Sequence, residues 1–294
     1  MRYNHKKGIA VIVLMAFGLC ASGGVVKKEY SYAGMDGQSH QIEVCFPENH
    51  EPGGKAPCFV FFHGGGWVGG NLNAGRPFCE YLASRGMVAL TANYSMHPKN
   101  ELENLPAGES KKRICVMDGK TVVRWVKKHA QELGIDPEKM VVGGASAGGH
   151  ISVLQMMDEQ FNNPAESPAI KTDAQAFVLL CPAFTVPERD PAPDMSVFQW
   201  LKKKFPPTLF IVGETDKWKK ASDLLIEKLA EAEADIEVWM GPQDGHMFFR
   251  TKDWITPTLI RIDEFLTENG FLEGPPALQP AETDRTLVRM NVQQ

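Results

Sequence analysis

Apolar residues follow two rhythms along this chain. Short runs that are wholly or mostly apolar (Cys58–Phe62, Met87–Ala92, Met140–Val142, Ala176–Leu180, Thr208–Val212 and Ile236–Met240) alternate with longer stretches in which apolar positions recur every three or four residues. An unbroken apolar run suits a strand buried on both faces, whereas recurrence near 3.6 marks a helix with one buried side. Helices are predicted from about Arg76 to Arg85, through the stripe Val122, Trp125, Val126, Ala130 and Leu133, over Gly148–Asp158, near Ala221–Ala234 and near Pro257–Asn269. Gly86 and Gly134 supply the helix stops, because glycine takes the left-handed conformation at no steric cost. Strand and helix alternating from residue 58 to 270 predict parallel βαβ units in one α/β sheet flanked by helices. Before them, Val25–Tyr30 and Gln41–Phe46 flank a turn at Gly34 and Asp36-Gly37, and are expected as antiparallel strands at the N-terminal edge. Residues 95–113 read as a polar loop with Pro98, Pro106 and Gly108.

The first 23 residues obey a different pattern. A basic head (Arg2, His5, Lys6, Lys7) precedes the 13-residue apolar run Gly8–Cys20 and the small residues Ala21-Ser22-Gly23. That is the layout of a cleavable secretory leader, and the run falls short of the roughly 20 residues a spanning helix needs. Leu19 speaks against lipid attachment at Cys20, where a small residue is wanted. The expectation is export to a secreted or periplasmic location, with no stable membrane anchor after cleavage. The domain plan is then a signal peptide at 1–23, one catalytic domain at 24–272, and a tail or lightly packed extension at 273–294.

Composition narrows the partners. The net charge is −5 over 294 residues with both signs interspersed, which excludes a basic nucleic-acid footprint. Without the leader, five cysteines remain: Cys45, Cys58, Cys79, Cys115 and Cys181. None forms C-x-x-C or another metal-ligand spacing, so no metal is implied. Most sit in apolar stretches and are expected as buried free thiols, although one disulfide is open to an exported chain.

The chemistry concentrates in two glycine-rich stretches. In "MVVGGASAGGH" an apolar strand runs into Gly144-Ala145-Ser146-Ala147-Gly148 and then a helix. This is G-x-S-x-G in the strand–turn–helix setting of a nucleophile elbow, where the turn is too sharp for bulk beside the serine. Ser146 then needs a base, and the base a carboxylate to orient it. His246, in the loop after Ile236–Met240, is the candidate base, while His150 lies one turn into the helix and reads as a packing residue. For the acid, Asp216 in "TLFIVGETDKW" lies just past a strand end and is preferred, with Glu214 and Asp244 as competitors.

The second stretch, "FVFFHGGGWVGG", matches the dinucleotide fingerprint G-x-G-x-x-G through Gly64, Gly66 and Gly69. That use requires an acid about 20 residues on to hold a ribose, but the next strand ends at Thr91-Ala92-Asn93-Tyr94. No nucleotide cofactor is therefore expected. His63-Gly64-Gly65-Gly66 instead suits an oxyanion loop, whose glycines let backbone N–H groups approach a substrate closely. Gly65 and Gly66, with Ala147 after the nucleophile, are the candidate donors, and His63 is expected to hold the loop's shape.

His63–Trp67, Asn93-Tyr94, Gly144–Gly148, "GETD" and His246 together resemble the α/β-hydrolase superfamily. They are most similar to esterases of the hormone-sensitive-lipase and acetyl-esterase type, near the secreted acetylxylan and feruloyl esterase-like branch. The resemblance spans roughly residues 30–272. It implies the α/β-hydrolase fold, Ser146 as nucleophile, His246 as base, Asp216 as acid and Gly65, Gly66 and Ala147 as oxyanion donors, with no cofactor. Ala145 in the elbow, "GHMFF" around the histidine and the long 95–113 loop depart from the usual pattern and bear on substrate preference. Little chain separates Cys181 from Pro206, so a minimal lid and a short acyl group are expected. Trp67, with Trp200 and Trp218, is a candidate for stacking on a sugar. The implied activity is hydrolysis of acetyl or feruloyl esters on polysaccharide or small carbohydrates. A kynurenine-formamidase-like amide hydrolase and an inactive hydrolase-fold binding protein are the alternatives.

Overall fold

The computed structural model describes residues 24–97, 105, 110–156, 159–190, 192–201 and 204–292. The leader expected at 1–23 lies outside the described residues, as does most of the polar loop before Ser110. Among the described residues, nine strands form one sheet in the order β1-β2-β4-β3-β5-β6-β7-β8-β9. They are β1 (Val25–Ala33), β2 (Ser39–Pro47), β3 (Ala56–Phe62), β4 (Val88–Ala92), β5 (Ile135–Ala145), β6 (Ala176–Leu180), β7 (Thr208–Gly213), β8 (Ile236–Gly241) and β9 (Val288–Arg289). The strands from β4 to β8 run parallel, and β1 and β2 form the antiparallel N-terminal hairpin. This is the α/β-hydrolase arrangement expected from the sequence.

The apolar runs are continuous because helices cover both faces of the sheet. Phe59 and Phe61 of β3 pack with Phe78 and Leu82 of α1 (Arg76–Ser84) and with Ile262 and Phe265 of α6 (Lys252–Glu268). The alternate residues Val60 and Phe62 join Val122 of α2 (Lys111–Lys128), Ile151 of α4 (Ala147–Leu154) and Leu225 of α5 (Lys219–Glu231). The one-turn α3 (Ala130–Leu133) ends at Gly134 with φ 63, the left-handed stop read from the sequence. The second helix starts earlier than its apolar stripe indicates, because Ser110 caps it by accepting the Arg113 N–H at 3.2 Å. All five described cysteines are buried and free.

Two further departures concern connections. The final helix begins at Lys252, five residues before Pro257, which sits inside it. The segment after residue 272, expected as a tail or lightly packed extension, is mostly exposed but makes defined contacts. Val288–Arg289 pair antiparallel with β8, the Met290 N–H donates to the Val238 carbonyl at 2.9 Å, and Leu287 is buried against the α1–α6 face. A two-residue strand is too short to carry a hydrophobic period, so the sequence pattern passes over it. Between β6 and β7 the described chain forms three short 3-10 turns (Pro187–Arg189, Pro193–Met195, Val197–Trp200).

Asp263 of α6 locks α6 to α1 from a fully buried position. It accepts Arg85 Nε–H at 2.6 Å and the Tyr81 hydroxyl at 2.5 Å, while Arg85 Nη2 reaches the Glu273 carbonyl at 3.0 Å. Without Asp263 the Tyr81 hydroxyl loses its acceptor and Arg85 keeps only the Glu273 and Gly274 carbonyls. Asp263→Ala is therefore expected to lower unfolding stability by about 1 to 3 kcal/mol in denaturant titration.

Candidate active site

Ser146 sits between β5 and α4 with φ 54 and ψ −117, a conformation rare for a residue with a side chain. The elbow is held from β6: the Ser146 N–H donates to the Leu180 carbonyl at 3.0 Å, and the Ala183 N–H to the Ser146 carbonyl at 2.9 Å. The small residues around it are required by close packing. A Cβ on Gly148 would lie 1.9 Å from the Phe62 carbonyl oxygen, and one on Gly144 would lie 2.5 Å from Gly148.

The structure brings together the three residues read as nucleophile, base and acid. The Ser146 hydroxyl lies 2.8 Å from His246 Nε2, and His246 Nδ1 lies 2.9 Å from Asp216 Oδ2. With the imidazole neutral, Nδ1–H donates to the carboxylate, leaving Nε2 free to accept the serine proton. Asp216 Oδ1 takes the Trp218 N–H at 2.9 Å. Burial alone raises this carboxyl. The bonds from His246 and Trp218 more than offset that and hold it below the ordinary carboxylate value. The competing acids serve elsewhere: Glu214 accepts the Gln243 N–H at 2.7 Å, and Asp244 pairs with Arg285 at 2.7 Å.

The glycine loop lies beside the serine. A Cβ on Gly64 would come within 3.1 Å of Ser146 Cβ. Gly65 has φ 140, and a Cβ there would lie 1.7 Å from the Gly69 carbonyl oxygen, so glycine is obligatory. Gly66 follows at φ 64, and Ala147 is the first residue of α4, where helical N–H groups have no partner within the helix. His63 is fully buried and makes its contacts with the loop and with Tyr94. Its ring stacks on Tyr94 with centroids 4.4 Å apart, Nδ1–H donates to the Gly64 carbonyl at 2.8 Å, and the Tyr94 hydroxyl donates to the His63 carbonyl at 2.8 Å. Burial lowers the His63 imidazole, keeping it neutral and structural.

One expectation changes. Trp67 is 4% exposed, with His150 edge-on at 5.3 Å and the ammonium of Lys112 5.1 Å from its ring centre, so it offers no open face to a sugar. Its place is to wedge the oxyanion loop against α2 and α4. Trp200 packs edge-on against Phe161, and Trp218 lies under the Lys217 ammonium.

The sequence pattern also passes over Cys181. Its thiol lies within 4.8 Å of an Asp216 carboxylate oxygen, and burial, with that carboxylate, pushes it well up, so it remains a neutral thiol. Ligand atoms of Cys181, Asp216 and His246 lie within 4.8 Å of one another, but the last two are already bonded to each other in the serine–histidine chain. A cysteine at a strand end carries no sequence signal for this contact.

A hydroxyl aimed at an imidazole, at the end of the fifth strand of this sheet, defines an α/β hydrolase built around a serine. The chain belongs to that family. Residues 59–202 match the family described as alpha/beta hydrolase fold. Solved structures agree over most of the chain. Thermogutta terrifontis esterase 2 phosphorylated by paraoxon is 30% identical at a TM-score of 0.75, with 84% of this chain and 96% of that chain covered. The butyrate-bound form of the same esterase is 30% identical at a TM-score of 0.72, covering 83% and 95%. Curated relatives include an AB hydrolase superfamily protein of Schizosaccharomyces pombe, 34% identical over 42% of this chain and 33% of that protein. Esterase LipQ of Mycobacterium tuberculosis is 27% identical over 52% of this chain and 34% of LipQ. The chain thus spans about a third of the length of these curated relatives.

Two outcomes test this geometry. Gly65→Ala is expected to leave the protein folded, by circular dichroism, while costing at least about 100-fold in turnover, because displaced donors no longer face the oxyanion. The second concerns His150, whose Nε2–H donates to the Met195 carbonyl at 2.8 Å. Burial, with the nearby Lys112 charge, pulls its imidazole down to about 3. Between that value and the ordinary 6.5 the unfolded chain holds a proton that the folded chain does not, so stability falls as pH drops through this window. Thermal melts of His150→Gln should accordingly lose less stability than the parent between pH 7 and pH 5.

Proposed function

We propose that this protein is a serine carboxylic-ester hydrolase acting on short-chain acyl esters. The observation that carries the reading is the unbroken hydrogen-bonded series Ser146–His246–Asp216 at 2.8 and 2.9 Å. In the first half-reaction Ser146 Oγ attacks the ester carbonyl as its proton passes to His246 Nε2. The charge on the carbonyl oxygen falls to the N–H groups of Gly65, Gly66 and Ala147. Collapse of the tetrahedral species breaks the ester C–O bond, and His246 returns the proton to the departing alcohol. Water then repeats the sequence on the acyl-serine and releases the acid. Asp216 stays ionised and stabilises the imidazolium formed in each half-reaction.

Substrate size follows from what surrounds the serine. The β6–β7 connection is built of short turns, which supports an acyl group of a few carbons over a long lipid chain. The related Thermogutta esterase has been solved with propionate and with butyrate bound, and that supports the same range. Acetyl and feruloyl esters of carbohydrates are the proposed targets, and the leader-like pattern read at residues 1–23 supports export to where such polymers occur. The burial of Trp67 leaves recognition of the alcohol side to other groups.

Ser146→Ala should lower p-nitrophenyl acetate hydrolysis by at least about 10⁴-fold with an unchanged melting temperature. In the parent, kcat/KM should fall from acetate and butyrate to decanoate. Retained turnover in the serine variant would refute the nucleophile assignment, and a preference for decanoate would refute the short-acyl assignment.

A further inference from the structure

The loop carrying His246 runs from Gly241 to Phe248. It passes through the left-handed region at Gln243 (φ 60) and Met247 (φ 65), one on each side of the histidine. Backbone of this kind persists only where its surroundings over-determine it. Part of the restraint comes from the end of β7. Besides the Gln243–Glu214 bond, the Thr215 N–H donates to the Asp244 carbonyl at 2.9 Å. Gly213 packs so closely under the loop that a Cβ there would lie 2.5 Å from the Gly245 carbonyl oxygen.

The rest comes from the C-terminal segment. Asp244 Oδ2 accepts Trp254 Nε1–H at 3.1 Å and pairs with Arg285 Nη1 at 2.7 Å. Arg285 is itself pinned: its guanidinium lies over the Trp254 ring, 5.2 Å from the centre, and its N–H donates to the Asp253 carbonyl at 3.0 Å. That carbonyl is open because Pro257, four residues on in α6, has no N–H to give it. Two residues beyond Arg285 the chain buries Leu287, and then it joins the sheet as β9.

We propose that Arg285 is a positioning residue for the reaction. Through Asp244, the docked C-terminal segment fixes the His246 loop, and with it the imidazole's distances to Ser146 and Asp216. This rests on the reading of those three residues as the triad. The ion pair is partly solvated, with side-chain exposures of 42% and 24%, so it contributes little to global stability. Its effect is on alignment, which turnover senses far more sharply than folding does.

The test measures kcat per active site, titrated with a fluorophosphonate, for Arg285→Ala, Arg285→Lys, Asp244→Asn and the double variant Asp244→Asn/Arg285→Ala. Arg285→Ala is expected to lose about five- to tenfold in kcat with KM within about twofold, and Arg285→Lys to recover part of the loss. The double variant should be no worse than the poorer single variant, since both break one contact. A kcat within twofold of the parent, a KM that rises in step with the loss of kcat, or an additive double variant overturns the proposal. Ser146→Ala run beside these separates the two readings. Turnover retained there refutes the triad, and turnover lost there leaves the other results to decide the role of Arg285 alone.

Discussion

How closely helix α4 approaches strand β3 decides most of this structure. The two backbones meet where a Cβ on Gly148 would overlap the Phe62 carbonyl. That contact sets the angle of the turn between β5 and α4, and the turn forces Ser146 to a positive φ. A serine so placed projects over the C-terminal edge of the sheet with a helix N-terminus beneath it. The glycine loop after β3 starts at the same junction, so nucleophile and oxyanion donors are positioned by one packing event. Acid and base then arrive from β7 and β8 on the same edge, as strand order requires of an open parallel sheet.

Most of the fold was legible because its strands are buried on both faces. Continuous apolar runs such as Cys58–Phe62 and Ala176–Leu180 carry their assignment without reference to neighbours. Elements whose limits depend on other signals were harder to place. The start of α2 is set by the Ser110 cap, and α6 extends through Pro257, a residue that ordinarily marks a helix beginning. β9 exists because β8 offers it an edge and Leu287 a buried foothold, neither of which a two-residue segment announces.

The site divides in the same way. Ser146, His246 and Asp216 were readable because each sits at a strand end in the order the chemistry demands. The structure also gives Glu214 and Asp244 separate employment in bracing the histidine loop. Cys181 and Arg285 were not readable. Their partners lie 35 and 41 residues away in sequence, at Asp216 and Asp244, and no local pattern links them. Trp67 misled for a related reason: an aromatic beside an oxyanion loop suits a sugar platform, and only the placement of His150 and Lys112 shows the ring to be enclosed.

The antiparallel strands at the two ends of the sheet also shape how this molecule meets others. Backbone groups at an unpaired strand edge invite pairing with any extended segment nearby. Here no strand of the apolar parallel core forms an outer edge among the described residues, since β2 flanks β4 and β9 flanks β8. One outer edge is β1, which turns Lys27, Lys28 and Glu29 to solvent, and the other is the two-residue β9. The charged edge penalises a foreign strand electrostatically and the short edge gives it little to hold. A foreign strand would thus meet charge along one flank and only two residues of pairing on the other.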